Sequence, residues 1–135
     1  MRTIRFAACA AAVAAFAWPA AAQVSDDVVK IGVMNDQSGL YSDITGQGEV
    51  NAVRLAAEDF GGKVLGKPIE IIFADNQNKP DIGSNIARQW FDQERVDMVV
   101  VGGASSVTLA VQEVARTKGK ISIVSAAAAA EHTGK

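Results

Sequence analysis

Cysteine is nearly missing from this chain: of 135 residues only Cys9 carries a thiol. It lies in MRTIRFAACAAAVAAFAWPAAA, where Arg2 and Arg5 precede an apolar run over residues 6–18 and Ala20, Ala21 and Ala22 precede Gln23. Positive start, apolar middle and small-residue end make a secretory signal peptide, with cleavage expected after Ala22. The run is shorter than the roughly 20 residues a spanning helix needs. The processed chain then has no disulfide, thiol nucleophile or thiolate metal site, so an exported product must be held by its core.

Histidine is as scarce. His132, the one example, falls in the last loop, where a solvated surface side chain is the plain reading. Without a His/Cys cluster no metal is assigned, and no cofactor. Charge of one sign is also lacking. Removing residues 1–22 takes two of 13 basic residues and none of the 15 acidic ones, leaving 11 against 15, a net of −4. A mildly acidic surface has no electrostatic reason to seek nucleic acid.

What is present alternates regularly. VVKIGVM (28–34) is short, apolar and β-branched, as a buried strand requires. NDQSGLYSDITGQGE reads as a long loop. Over 45–60 the period changes: Val50, Val53, Ala57 and Phe60 share one helical face, and Gly61-Gly62 ends it. KPIEIIFAD is a second strand, and Pro80-Asp81 starts a second helix with Ile82, Ile86, Trp90 and Phe91 inward. Residues 97–101 make a third strand, and 105–118 a third helix with Val107, Val111 and Val114 inward. KISIVSA is a fourth strand. Apolar strands alternating with amphipathic helices predict an α/β fold, a doubly wound parallel sheet covered on both faces as a three-layer sandwich.

Ligands of such sheets sit beyond the carboxyl ends of the strands, where the winding reverses. Loops 35–48, 75–79, 102–106 and 125–131 lie at that end, and the first, third and fourth are small or polar, which points to a pocket of backbone amides and hydroxyls. The stretch after Val101 lacks the Lys of a phosphate-binding P-loop. Gly46 and Gly48 supply only two glycines of a dinucleotide fingerprint, with Asn51 where the third belongs. Ser105, Ser106 and Ser125 have no base in view, so nucleophilic catalysis has no support. Asp36 and Asp75 read as loop caps before general bases. The pair Ser105-Ser106 suits a helix N-cap, and the same helix start has spare N–H groups for a carboxylate.

KIGVMNDQSGLYSDITGQGEVNAVRLAAEDFGGKVLGKPIEIIFADNQNKPDIGSNIARQWFDQERVD after an export leader resembles the start of type I periplasmic substrate-binding proteins of ABC transporters, the leucine/isoleucine/valine-binding group. The marks are Ser38-Gly39, Glu58-Asp59-Phe60-Gly61-Gly62, Gly66-Lys67-Pro68-Ile69 and the Asp75…Lys79-Pro80 junction. The resemblance implies a two-lobed protein closing on a small molecule. This chain would then be a leader (1–22), a short linker (23–27) and part of lobe one (28–135), a fragment.

The resemblance further implies a ligand carboxylate held by Ser105 and Ser106 beside Ala104, and by Ala128 and Ala129 in the next loop, with Ser38, Tyr41 and Ile44 as a wall. Where the family pattern has small-Ala-Thr, this chain has Ala127-Ala128-Ala129, so a hydroxyl is lost. That departure weakens the case for a leucine-type amino acid and leaves room for an aromatic carboxylate. The implied role is a non-enzymatic periplasmic carrier serving an ABC transporter membrane permease. An extracytoplasmic sensor domain is the alternative, and an enzyme on this scaffold a third.

Overall fold

The computed structural model describes residues 26–133. The leader and the linker up to residue 25 lie outside the described residues. The elements run β1 (Val29–Asn35), α1 (Gly46–Asp59), β2 (Lys63–Val64), β3 (Lys67–Asp75), α2 (Pro80–Asp92), β4 (Met98–Gly102), α3 (Ser105–Thr117) and β5 (Ile121–Ala126), closed by a 3-10 turn (Ala130–Thr133).

They form one sheet in the order β2-β3-β1-β4-β5. β1 pairs in parallel with β3 and β4, and β4 with β5. The parallel α/β sheet predicted from the apolar runs is what forms, with strand limits moved by one residue or so. β2 was not foreseen. Leu65 and Gly66, both at positive φ (52° and 81°), turn the chain tightly, so that Lys63-Val64 pairs antiparallel with Lys67-Pro68. Two residues are too few to show a period of two.

The principal core lies between the sheet and α2 and α3. Met34, Val99 and Val101 meet Trp90, Phe91, Val107 and Val111 there. Full burial of each such side chain contributes about 1.5–3 kcal/mol. On α3 the predicted inward face, Val107, Val111 and Val114, is buried. On α2 the buried face is rotated: Gly83, Ala87, Trp90 and Phe91 are buried, while Ile82 and Ile86 are half-buried. Close helix contact explains the rotation, since a Cβ on Gly83 would stand 2.9 Å from Val107 Cγ1. Gly32 serves Trp90 similarly: a Cβ there would be 2.3 Å from the indole Cζ3.

Among the described residues the other face of the sheet carries α1 alone. Gly62 N–H bonds Ala57 O (2.8 Å) and Gly61 N–H bonds Glu58 O (2.9 Å), a Schellman ending with both glycines at positive φ. Val50 is buried, but Phe60 is exposed, against its predicted inward place. The expectation that both faces are covered holds only in part. Phe73, Ile121 and Ile123 stay 48%, 60% and 48% exposed, because one helix cannot span five strands. Among the described residues no helix is long and apolar enough to cross a membrane.

Candidate functional site: a neutral cleft at the switch point

Chain order leaves β1 in the middle of the sheet, with β3 on one side and β4 on the other. The loops after β1, β4 and β5 therefore gather at one edge. They enclose a cleft of about 240 Å³.

The first wall is the loop after β1. Asp36 is buried, and its carboxylate accepts the N–H groups of Gly39 (2.8 Å) and Tyr41 (2.9 Å). This curls the loop back. Gly39 is required there, since a Cβ would come within 2.7 Å of the same carboxylate. Thr45 N–H then bonds Tyr41 O at 2.9 Å. Asn35, at the end of β1, holds the start of α1 through the carbonyls of Thr45 (2.6 Å) and Gly46 (2.9 Å) and the Glu49 carboxylate (2.8 Å). Tyr41, Ile44 and Thr45 so become lining residues.

The floor comes from β4 and α3. Gly103, at φ 108°, bonds Ala126 O at 2.7 Å and leads into Ala104. Ala104, not a serine, is the N-cap of α3, and no side chain caps the helix. The capping role expected of the serines is therefore not the one they take. The N–H groups of Val107 and Thr108 return to Ala104 O (3.0 and 3.1 Å), while Ser105 and Ser106, in the first turn, are too early for an intrahelical acceptor.

The last wall is 126–129. The Ser105 hydroxyl oxygen accepts the N–H groups of both Ala128 and Ala129 at 3.2 Å, so the two loops expected to hold an anion are stitched to each other. A bulge at Val101/Gly102 in the β4–β5 register pushes out Ser125, whose hydroxyl donates to the Glu49 carboxylate.

Of the residues singled out in the sequence, Ala104, Ser105, Ala128, Tyr41 and Ile44 line the cleft. Ser106 is exposed and outside the lining, and Ala129 reaches the site only through its N–H. Ser38 also lies outside, its hydroxyl on Asp75 Oδ2 at 2.6 Å. Ala127, first of the alanine triplet matched to the family pattern, also lines the cleft, and lining residues the sequence did not single out are Thr45, Gly103 and Ala126. The Gly-Gly corner and the alanine run were visible signals for two of them. Thr45 read only as a helix start.

Asp75 caps its loop as expected. Burial pulls its carboxyl upward, but hydrogen bonds from Ser38 Oγ and the N–H groups of Gln37 and Gln77 outweigh this and hold it below the ordinary carboxylate value. His132 departs from its expected solvated place: it is half-buried, between Thr108 and Gln112. Among the described residues no group of His, Cys, Asp or Glu is placed to hold a metal ion. Among the described residues no charged side chain lines the cleft. Its polarity comes from amides, the hydroxyls of Tyr41, Thr45 and Ser105, and a helix start.

The family profile for periplasmic binding proteins matches residues 28–135. The chain belongs to the periplasmic binding protein family. Among solved structures, a periplasmic binding protein from Burkholderia mallei is 48% identical, with a TM-score of 0.77, covering 79% of this chain and 28% of that one. A branched chain amino acid ABC transporter periplasmic ligand-binding protein from Burkholderia xenovorans is 43% identical, with a TM-score of 0.71, over 75% of this chain and 27% of that one. A solute binding protein of an ABC transporter from Rhodopseudomonas palustris, in complex with 3,4-dihydroxybenzoic acid, is 29% identical, with a TM-score of 0.69, over 76% of this chain and 28% of that one. This chain thus spans under a third of each of these relatives. No curated protein matches it significantly. The fold is that of one lobe of a type I periplasmic binding protein.

Proposed function

We propose that residues 28–135 are lobe-one sequence of a periplasmic solute receptor that captures a small carboxylate and passes it to an ABC transporter permease, without covalent chemistry. In this reading residues 1–22 are a cleaved leader that takes the chain to the periplasm. The observation that carries the proposal is Ser105. Its oxygen already accepts two N–H groups, and among the described residues its hydroxyl hydrogen has no acceptor. That hydrogen, with the uncapped start of α3, gives a carboxylate several donors in a cleft with no charged side chain. The helix dipole adds to them.

Tyr41, Ile44 and the alanines would face the rest of the ligand, which suits an apolar or aromatic body. Ligand closure by a second lobe follows from the family's architecture and is part of the proposal.

The test is isothermal titration with isoleucine and with 3,4-dihydroxybenzoate. It uses this chain and a chimera in which residues 28–133 replace the matching segment of the Burkholderia mallei relative. Saturable binding of either probe to the chimera, lost when Ser105 is replaced by Ala, supports the reading. Binding that ignores Ser105, or turnover of a probe, overturns it.

A further inference from the structure

Ser105, Thr108 and Gln112 form one polar stripe along α3, spaced by three and four residues, so all three share a side of the helix. The end of the described chain folds over this stripe. His132 Nε2 is 3.0 Å from Thr108 Oγ1, and Nδ1 is 3.1 Å from Gln112 Oε1. Thr108 is fully buried. Its single hydroxyl hydrogen is directed at the helix carbonyls, Ser105 O at 3.0 Å and Ala104 O at 3.3 Å, the back-bonding usual for a helical threonine. Toward His132 it then shows a lone pair, which Nε2 meets as a donor in imidazolium and in the Nε2–H tautomer. Imidazolium donates from both nitrogens, and the neutral ring needs only a turn of the Gln112 amide to satisfy Nδ1.

We infer that His132 is a positioning residue for the ligand cradle, an inference that rests on the carboxylate-binding reading above. Segment 128–132 is pinned to α3 at two places. The Ala128 and Ala129 N–H groups hold Ser105 Oγ at one end, and His132 donates to Thr108 about one helical turn further along at the other. Thr108 in turn bonds the carbonyl of Ser105 itself. His132 touches no ligand. It keeps the alanine loop against α3, so that the Ser105 lone pairs stay engaged and its one hydrogen stays aimed at the cleft. Without this latch the loop would hang from a single oxygen, and the donor array would lose its fixed geometry.

Residue-resolved amide hydrogen exchange on the ligand-free chain tests the latch directly. His132→Leu should speed exchange at Ala128 and Ala129 by about tenfold or more, while Val100 and Val101 in β4 keep their protection as a control for folding. His132→Gln, whose side-chain N–H can reach the same threonine oxygen, should stay within about threefold of the parent. Thr108→Val should repeat the Leu effect from the other element, and Thr108→Ser should restore protection. Unchanged exchange in His132→Leu, or a Gln variant as damaged as the Leu variant, overturns the inference. So does equal affinity of the parent and His132→Leu chimeras for isoleucine or 3,4-dihydroxybenzoate. Should the parent bind neither probe, the carboxylate reading fails while the exchange data still decide the latch.

Discussion

The hydroxyl oxygen of Ser105 lies 3.2 Å from the amide nitrogen of Ala128, joining the start of α3 to the loop after β5 across the cleft. An oxygen that accepts here can donate only outward, so the contact orients the donor without using it up. Ser105→Ala should therefore have two effects. It leaves the Ala128 and Ala129 N–H groups without that partner, at a cost of about 1 kcal/mol in unfolding free energy. It also removes a donor to a charged oxygen, which weakens carboxylate binding by about 1.5–3 kcal/mol, tenfold or more in the dissociation constant. Ser105→Thr, which keeps the hydroxyl, should lose less. Urea titration reads the first effect and calorimetry on the chimera the second; equal affinity of parent and Ala variant would show that the hydroxyl is not a ligand donor.

Gly32 interrupts the apolar run of β1, and the reason is Trp90. An added methyl would sit 2.3 Å from the indole, so Gly32→Ala must push the ring out of a close-packed core. A loss of about 1–3 kcal/mol or more is expected. Adding Trp90→Leu should recover part of that loss, because the two changes share one volume and cannot add independently. Denaturant midpoints of the two singles and the double check this, and strict additivity would exclude the steric account.

Much of the fold could be read before the structure, and the reason is physical. Continuous apolar runs such as DMVVV have no solvated face, so they announce buried parallel strands, and valines at three- and four-residue spacing announce α3. What escaped depended on contacts distant in sequence. The two-residue β2 has no periodicity, and the inward face of α2 turned because Gly83 allows α3 close. At the site, small residues flagged the loops that line the cleft but not the partners of each hydroxyl. Ser38 followed Asp75 away from the cleft, and Ser105 took the alanine loop in place of capping its own helix. Only the polar stripe at 105, 108 and 112 could have exposed the His132 contact, and it needed a partner from the far end of the chain.

Asp75 should shape the acid limb of stability. Its carboxyl is held below the ordinary value by hydrogen bonds to Ser38, Gln37 and Gln77 that outweigh its partial burial. A depressed native value means that the unfolded chain binds the proton more readily. The stabilisation is then fully present above the unfolded value, about 3.9. It fades as pH falls through the lower folded value. Asp75→Asn removes this titration, so the difference in stability between parent and variant should be constant at neutral pH and shrink below about pH 4. Ser38→Ala should give a smaller change of the same sign. Chemical denaturation at pH 7, 4 and 3 makes the comparison, and a gap that widens on acidification would contradict the assigned direction.

The sheet face that bears α1 makes a different kind of demand. Register places Phe73 opposite Val33, Ile121 beside Met98 and Ile123 beside Val100, so the exposed apolar side chains flank the buried strip of Val33 and Val100 on either side. It extends to a cavity of about 330 Å³ under α1, lined among others by Ile31, Val53 and Phe60. β5 also ends the sheet, leaving its outer backbone groups open to pairing. Exposed apolar surface of this kind binds amphiphilic dyes and favours association. The folded chain should therefore enhance anilinonaphthalene sulfonate fluorescence at neutral pH without denaturant. The double substitution Ile121→Thr and Ile123→Thr, which keeps β-branched side chains on the strand, should cut that fluorescence and raise solubility while changing unfolding free energy little. An equally bright dye signal in the double variant would place the apolar surface elsewhere, and a cooperative loss of fold would show that these isoleucines are core after all.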